Sequence, residues 1–188
     1  MTKETLKLVG VDEAGRGPLA GPVVAGAVYL KHDVPGLADS KAITPRKREQ
    51  LFQVITQEHV WAYAVVSSRE IDQLNILNAS LLAFKRAVDA LQVRPDMVLV
   101  DGNHLPNWQY QSQAVIKGDQ KVPAISAASI VAKVIRDRMM HLIDQQHPMY
   151  QFAKHKGYPT KEHMQLLALH GPCYAHRLTF APVKRVVV

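Results

Sequence analysis

The chain has 188 residues, 47% hydrophobic and 21% charged, a balance that excludes a disordered or fibrous protein and suits one compact domain with room for a small appendage. Its single cysteine, Cys173, permits no internal disulfide and is consistent with a reducing compartment. A formal net charge of +7 favours a polyanionic partner, nucleic acid foremost, although the basic residues are dispersed and Arg46-Lys47-Arg48 is the one run of three.

The opening MTKETLKLVGVDEAG does not read as a signal peptide, because its apolar stretch is short and soon meets Asp12 and Glu13. No apolar run approaches the ~20 residues of a membrane span. A soluble, cytoplasmic protein is expected. The stretch from Leu6 to Asp12 alternates as a strand does, and a Gly/Pro-rich turn from Gly15 to Pro22 follows. Val23 to Leu30, β-branched and apolar, reads as a second strand. Thr44-Pro45 looks like an N-cap followed by proline at the first helical position. The helix it opens should run to about Glu58 with Leu51, Phe52 and Ile55 on one face. Val60 to Val66 reads as a third strand. Ser68 to Leu91 reads as mostly helical with a break near Asn75–Asn78. Met97 to Asp101 is a short buried strand ending in an acid, and Ala114-Val115-Ile116 is another strand. A long helix is predicted from Ile125 to about Ile143, with Ala127, Val131, Val134 and Leu142 on one stripe. Thr160 caps a last helix that stops at Gly171-Pro172. The tail Lys184 to Val188 is left between disorder, an added strand and a docking peptide. Two strands meeting through a tight turn, followed by strands alternating with helices, predict a mixed sheet with helices on its faces.

Four acids stand out. Asp12 and Glu13 follow one strand, Asp101 ends another, and Asp119 sits just before the long helix. Strands that run into an acid deliver it to a sheet edge or crevice, where ligands bind in α/β sheets. Neighbouring carboxylates repel unless a cation neutralises them, and Mg²⁺ or Mn²⁺ prefers such hard oxygen donors. Any single acid could instead be a solvated strand end, and Asp119 could simply favour the dipole of the helix that follows. Spacing alone leaves their convergence open. Zinc is disfavoured by one cysteine and by nine histidines without HExxH spacing, and most of those histidines are expected at the surface. Cys173 reads as a packing residue. Gly15-Arg16-Gly17 fits either a close backbone approach to a sugar or phosphate, or a plain turn. It is neither a Walker loop nor a good dinucleotide fingerprint, because no Gly-Lys-Ser/Thr follows and Pro18 and Pro22 oppose an immediate helix.

The stretch VDEAGRGPLAGPVVAGAV resembles the signature opening of the ribonuclease HII family. Further stretches match in the family's order: Asp39-Ser40-Lys41, Val100-Asp101-Gly102, Lys117-Gly118-Asp119, Ser126 to Lys133, and His155 to Thr160. The resemblance spans about Leu6 to Val183. It implies an α/β fold, a ribonuclease-H-like mixed sheet flanked by helices, in a single catalytic domain over 1–188 of which about 147–188 is a helical C-terminal extension. It implies that Asp12, Glu13, Asp101 and Asp119 are catalytic and bind two divalent ions, Mg²⁺ or Mn²⁺. It implies that Gly15, Arg16 and Gly17 read a 2′-hydroxyl, that Tyr158 assists, and that Lys41 touches the phosphate backbone. Asp137, the competing fourth acid, lies four residues after Lys133 and suits a surface ion pair instead. The expected activity is endonucleolytic cleavage of RNA in RNA/DNA hybrids and 5′ of single ribonucleotides embedded in duplex DNA, leaving 3′-hydroxyl and 5′-phosphate ends, by a monomer. A non-catalytic hybrid-binding protein would need the basic surface but not the acids. A small-molecule phosphatase would turn over a mononucleotide with little salt sensitivity.

Overall fold

The computed structural model describes residues 6–37 and 43–187; Asp39, Ser40 and Lys41 lie outside them. The expected mixed sheet with helices on both faces is present. Its five strands are β1 (Leu8–Ala14), β2 (Val23–Tyr29), β3 (Val60–Val66), β4 (Met97–Asp101) and β5 (Ser112–Val115), in the order β3-β2-β1-β4-β5. β2 pairs antiparallel with β1 and β3, whereas β4 lies parallel to β1 and β5 parallel to β4. The helices are α1 (Pro45–Glu58), α2 (Ser68–Leu74), α3 (Ile76–Asp89), α4 (Pro123–Gln146), α5 (Phe152–His155), α6 (Lys161–His170) and α7 (Ala181–Val187).

Strand periodicity divides the core into two layers. Val9 and Val11 of β1, with Val23, Ala25 and Ala27 of β2, face α3, where Ala79, Ala83, Phe84 and Ala87 cover them. On the other face Val28 packs with Leu51, Phe52 and Ile55 of α1 and with Ala127 and Val131 of α4. Each such fully buried Val, Leu or Phe contributes roughly 1.5–3 kcal/mol. Glycines bring α4 unusually close to the sheet. A Cβ on Gly10 would lie 2.1 Å from the Ala124 carbonyl carbon, and one on Gly26 would lie 2.4 Å from the Ala128 oxygen. The helix backbone therefore rests directly on β1 and β2.

Local signals place several boundaries. The Thr44 side chain accepts from the Lys47 N–H and Pro45 opens α1. Asn75, at φ 67°, breaks α2 from α3 and caps the latter through its own side chain. Thr160 caps α6, which ends at Gly171. Four details differ from expectation. β1 continues through Asp12 and Glu13 to Ala14, because β2 pairs with it that far, so the acids lie within the strand. β5 begins at Ser112 and ends before Ile116, which is exposed. Leu142 shares a stripe with Val131 but is exposed, because α4 has by then run past the sheet. Beyond the sheet α4 turns Met140 into a second cluster with Ala20, Tyr150, Phe152 and Ala175. The tail is neither strand nor irregular: Lys184 to Val187 belong to α7, anchored by Val183 against Leu19 and Leu167. Both of these smaller clusters pack on Leu19 and Ala20, so the helices after α4 support the Gly/Pro-rich turn that follows β1.

Candidate active site

The parallel register brings the acids together. Val11 of β1 lies opposite Val100 of β4, so the next residues, Asp12 within β1 and Asp101 at the end of β4, stand side by side on adjacent strands. The 3₁₀ turn Gly118–Gln120 closes over Asp101, with the Gly118 N–H donating to its Oδ1 at 2.6 Å and the Asp119 N–H lying 3.4 Å from the same oxygen. Glu13, one residue on from Asp12, pairs with Arg16 at 3.3 Å. Asp12 is buried, and the N–H of Glu13 donates to its Oδ1 at 2.7 Å.

Burial and mutual repulsion set the state of these acids. Burial pushes the Asp12 carboxyl well above the usual carboxylate range. The neighbouring charges of Glu13 and Asp101 raise it further, against opposing hydrogen bonds from the Glu13 N–H and the Ser129 hydroxyl. Burial also raises Glu13, and the Arg16 guanidinium pulls it back. Carboxylates held together in this way are a donor set for a hard divalent cation, which would offset both repulsion and desolvation.

An open cleft of about 370 Å³ runs from Glu13 past Gly15, Arg16 and Gly17, with Arg48 and Lys133 on its walls and Tyr158 at its edge. Tyr158 is 43% exposed, and a Cβ on Gly17 would stand 3.7 Å from its ring. The glycine turn and the tyrosine thus lie together along the cleft that Glu13 also lines. Asp137 makes the expected ion pair with Lys133 at 2.7 Å.

Three residues that the sequence did not single out build this rim. Ser129 of α4 stands beside Asp12, where its hydroxyl favours the ionised carboxylate. It sits in the Ser126–Lys133 match but has no spacing that marks it. Arg136 and Arg177 are fully buried, form no ion pair with a carboxylate among the described residues, and donate to main-chain oxygens. Arg177 donates to the carbonyls of Gly15 at 2.5 Å, Arg16 at 2.9 Å and Gly21 at 2.8 Å. Arg136 donates to Pro22, Ala20 and Lys156, and its guanidinium lies 6.0 Å from the centroid of the Tyr158 ring. Burial and the charge of Arg136 pull Arg177 down to about 9, still a cation at neutral pH. An arginine within a helical or loop pattern reads as surface, and only tertiary structure shows these two beneath the turn.

Five of the nine histidines are exposed or half-buried, whereas His59, His155, His163 and His176 are buried. His59 groups with His32 and Glu58 at the opposite end of the sheet, the three-residue set that comes within ligand range among the described residues. The Lys31 N–H donates to His59 Nδ1 at 3.1 Å. In the neutral ring Nε2 therefore carries the proton, the reverse of the tautomer a metal at Nε2 requires. Cys173 is half-buried, and burial pushes its thiol up, as suits a packing residue.

Two solved structures share this architecture. The ribonuclease H2 from Pyrococcus horikoshii OT3 superposes with a TM-score of 0.81 at 27% identity, covering 96% of this chain and 97% of that one. Bst-RNase HIII, solved in complex with Mn²⁺, gives a TM-score of 0.67 over 97% of this chain and 69% of that one; at 17% identity the likeness shows the fold alone. The protein is a nuclease with a ribonuclease-H-like fold. The family model described as Ribonuclease HII matches residues 9–183. Ribonuclease HII 2 of Methylibium petroleiphilum is 56% identical over 184 residues, 96% of this chain and 85% of that protein. The chain belongs to the ribonuclease HII family, whose members are divalent-metal-dependent ribonucleases H.

Proposed function

We propose that this ribonuclease H cuts the RNA strand of RNA/DNA hybrids and also cuts duplex DNA on the 5′ side of a single embedded ribonucleotide, leaving 3′-hydroxyl and 5′-phosphate ends. The observation that carries this reading is the meeting of Asp12, Glu13 and Asp101 on adjacent strands, beside the cleft that Glu13 lines together with Gly15–Gly17 and Tyr158. Asp12, Glu13, Asp101 and Asp119 would hold two divalent ions, Mg²⁺ or Mn²⁺. The raised Asp12 and Glu13 carboxyls fit that role, because each carries a repulsion that a cation removes. Bound ions of this kind lower the pKa of a water nucleophile and offset charge on the departing oxygen.

The chain's own groups supply position and selection. Gly15 and Gly17 let the main chain approach a sugar closely, and Arg16 presents a cation beside it. The 2′-hydroxyl is the group that separates a ribonucleotide from DNA. On this reading the glycine turn and the Tyr158 hydroxyl test for it. Arg48 and Lys133 on the cleft walls suit phosphate, and the resemblance gives Lys41 the same role. We place the working protein in the cytoplasm as a monomeric single catalytic domain, with 147–188 as the extension that braces the glycine turn; no helix among the described residues is long and apolar enough to cross a membrane.

The test is a DNA duplex with one ribonucleotide, incubated with and without Mg²⁺ and with its product ends mapped. One metal-dependent cut 5′ of the ribonucleotide is expected, with the all-DNA duplex intact. Equal cutting of the all-DNA duplex, or no cut at the ribonucleotide while a long hybrid is degraded, overturns the proposal.

A further inference from the structure

The C-terminal region after α4 holds a group of histidines that the chemistry above does not use. His163 and His176 are fully buried, and their Nε2 atoms face one another at 3.1 Å. Their hydrogen bonds fix where each proton sits. His163 Nδ1 lies 2.9 Å from the carbonyl oxygen of Tyr158, which can only accept, so Nδ1 carries the proton. His163 Nε2 is then an acceptor. At the other end the main-chain N–H of Cys173 donates to His176 Nδ1 at 3.0 Å, so His176 carries its proton on Nε2 and donates it to His163. One direction of donation satisfies the whole chain: Cys173 N–H to His176, His176 to His163, His163 to the Tyr158 carbonyl. Both rings must be neutral for it to hold, and burial does keep both below the usual imidazole value, His176 at about 4.

A third ring completes the frame. His155 stacks on His163 with centroids 4.4 Å apart and planes 14° from parallel. Its Nε2 donates to the Tyr150 carbonyl at 2.7 Å, so its Nδ1 accepts, taking the Gly157 N–H at 3.2 Å. The peptide that carries Tyr158 is thus held on both sides, at the N–H of Gly157 and at the carbonyl of Tyr158. Gly157 itself has φ 82°, and a Cβ there would lie 2.4 Å from the Ala20 oxygen.

We infer that His163, oriented by His176, is a positioning residue for Tyr158: a relay of neutral histidines fixes the main chain so that the exposed ring stands beside Gly17 and meets the sugar of the scissile ribonucleotide. This rests on the reading of Tyr158 as a substrate contact. The histidines touch no substrate and act through the tyrosine. Misplacement of a contacting group by about 1 Å can cost on the order of 100-fold in rate, so His163 should influence turnover from beneath the surface.

The test combines tautomer and coupling. Imidazole nitrogen shifts at pH 7 should show His163 protonated on Nδ1 and His176 on Nε2; the opposite tautomers, or a charged ring, overturn the relay. On a duplex with one ribonucleotide, His163→Leu should lower kcat by about 10- to 100-fold with KM within about 2-fold, because phosphate contacts carry most of the binding. His163→Asn, whose amide nitrogen can replace Nδ1, should recover most of the loss. In a Tyr158→Ala background, His163→Leu should cost nothing more, since residues acting as a unit are not additive. If Tyr158→Ala loses activity but His163→Leu lowers it as much in that background as in wild type, the positioning role is wrong and the tyrosine's role survives. If Tyr158→Ala cleaves normally, both fall. Should His163→Leu fail to fold, the Asn variant and the nitrogen shifts still decide.

Discussion

At the scale of single residues, Asp12 concentrates the conflict between stability and function. It is 7% exposed, beside two other carboxylates, and a charge so placed destabilises the fold unless a cation offsets it. Asp12→Asn should therefore lower cleavage by more than about 100-fold, the upper range for disturbing a metal shell. It should leave hybrid binding nearly intact and raise the melting temperature of the metal-free protein. Activity within a few-fold of wild type under saturating Mg²⁺ would remove Asp12 from the site. Tyr158 should behave differently, because its ring is exposed. Tyr158→Phe should cost about 1 kcal/mol, or roughly 5-fold, on a duplex with one ribonucleotide, through loss of one hydrogen bond. Tyr158→Ala should cost more, and both variants should melt near wild type. A loss of activity that tracks a loss of stability would mean that the ring packs and does not recognise.

At the scale of elements, the sequence is most informative where structure is decided locally. Thr44-Pro45, Asn75 and Thr160 mark helix ends because a side-chain oxygen satisfies the first N–H groups, and that chemistry is read within four residues. Convergence of the acids is not local: Asp12 and Asp101 meet through the parallel register of β1 and β4, and no spacing encodes that pairing. The four acids were nameable from the sequence, whereas Arg136 and Arg177 were not, since their partners are backbone oxygens far along the chain. Arg177→Met tests what such a residue does for the turn. It strands the carbonyls of Gly15, Arg16 and Gly21, at roughly 1–3 kcal/mol for a buried group left unsatisfied. Thermal melting should fall by several degrees, and single-ribonucleotide cleavage should fall further than cleavage of long hybrid. Unchanged melting would mean the turn holds without its clamp. The histidine cluster gives the extension a pH dependence. His163 and His176 have folded pKa values lowered by burial, so the unfolded chain takes up more protons in acid. Their contribution is fully present above about pH 6.5, the unfolded imidazole value, and is lost as pH falls toward about 4, the folded value for His176. Melting temperature should drop across that window, and His176→Gln should flatten the drop. A profile unchanged by that substitution would place the acid sensitivity elsewhere.

At the scale of the whole molecule, a net charge of +7 is spread without a basic tail, so binding to a polyanion must use side chains distributed over the folded surface. Arg48 and Lys133 line the cleft beside Glu13, and on the proposed function they would draw the phosphate backbone to the place where a metal would neutralise the carboxylates. Each phosphate neutralised by a lysine or arginine releases condensed counterions, and log affinity falls linearly with log salt at a slope near −0.9 per contact on duplex. Arg48→Ala should therefore weaken hybrid and all-DNA duplex alike and reduce the magnitude of that slope by about 1. Arg48 also donates to the Ile43 carbonyl at 3.1 Å, so the variant's melting must be measured beside its binding. Tyr158→Ala should leave the slope unchanged while eroding the preference for a ribonucleotide, because a sugar contact displaces no counterion. Binding titrations on both duplexes at several salt concentrations separate the two effects. An affinity independent of salt would mean that the basic surface faces away from the substrate, and a change of slope in Tyr158→Ala would mean that the tyrosine works through the backbone phosphates and not through the 2′-hydroxyl.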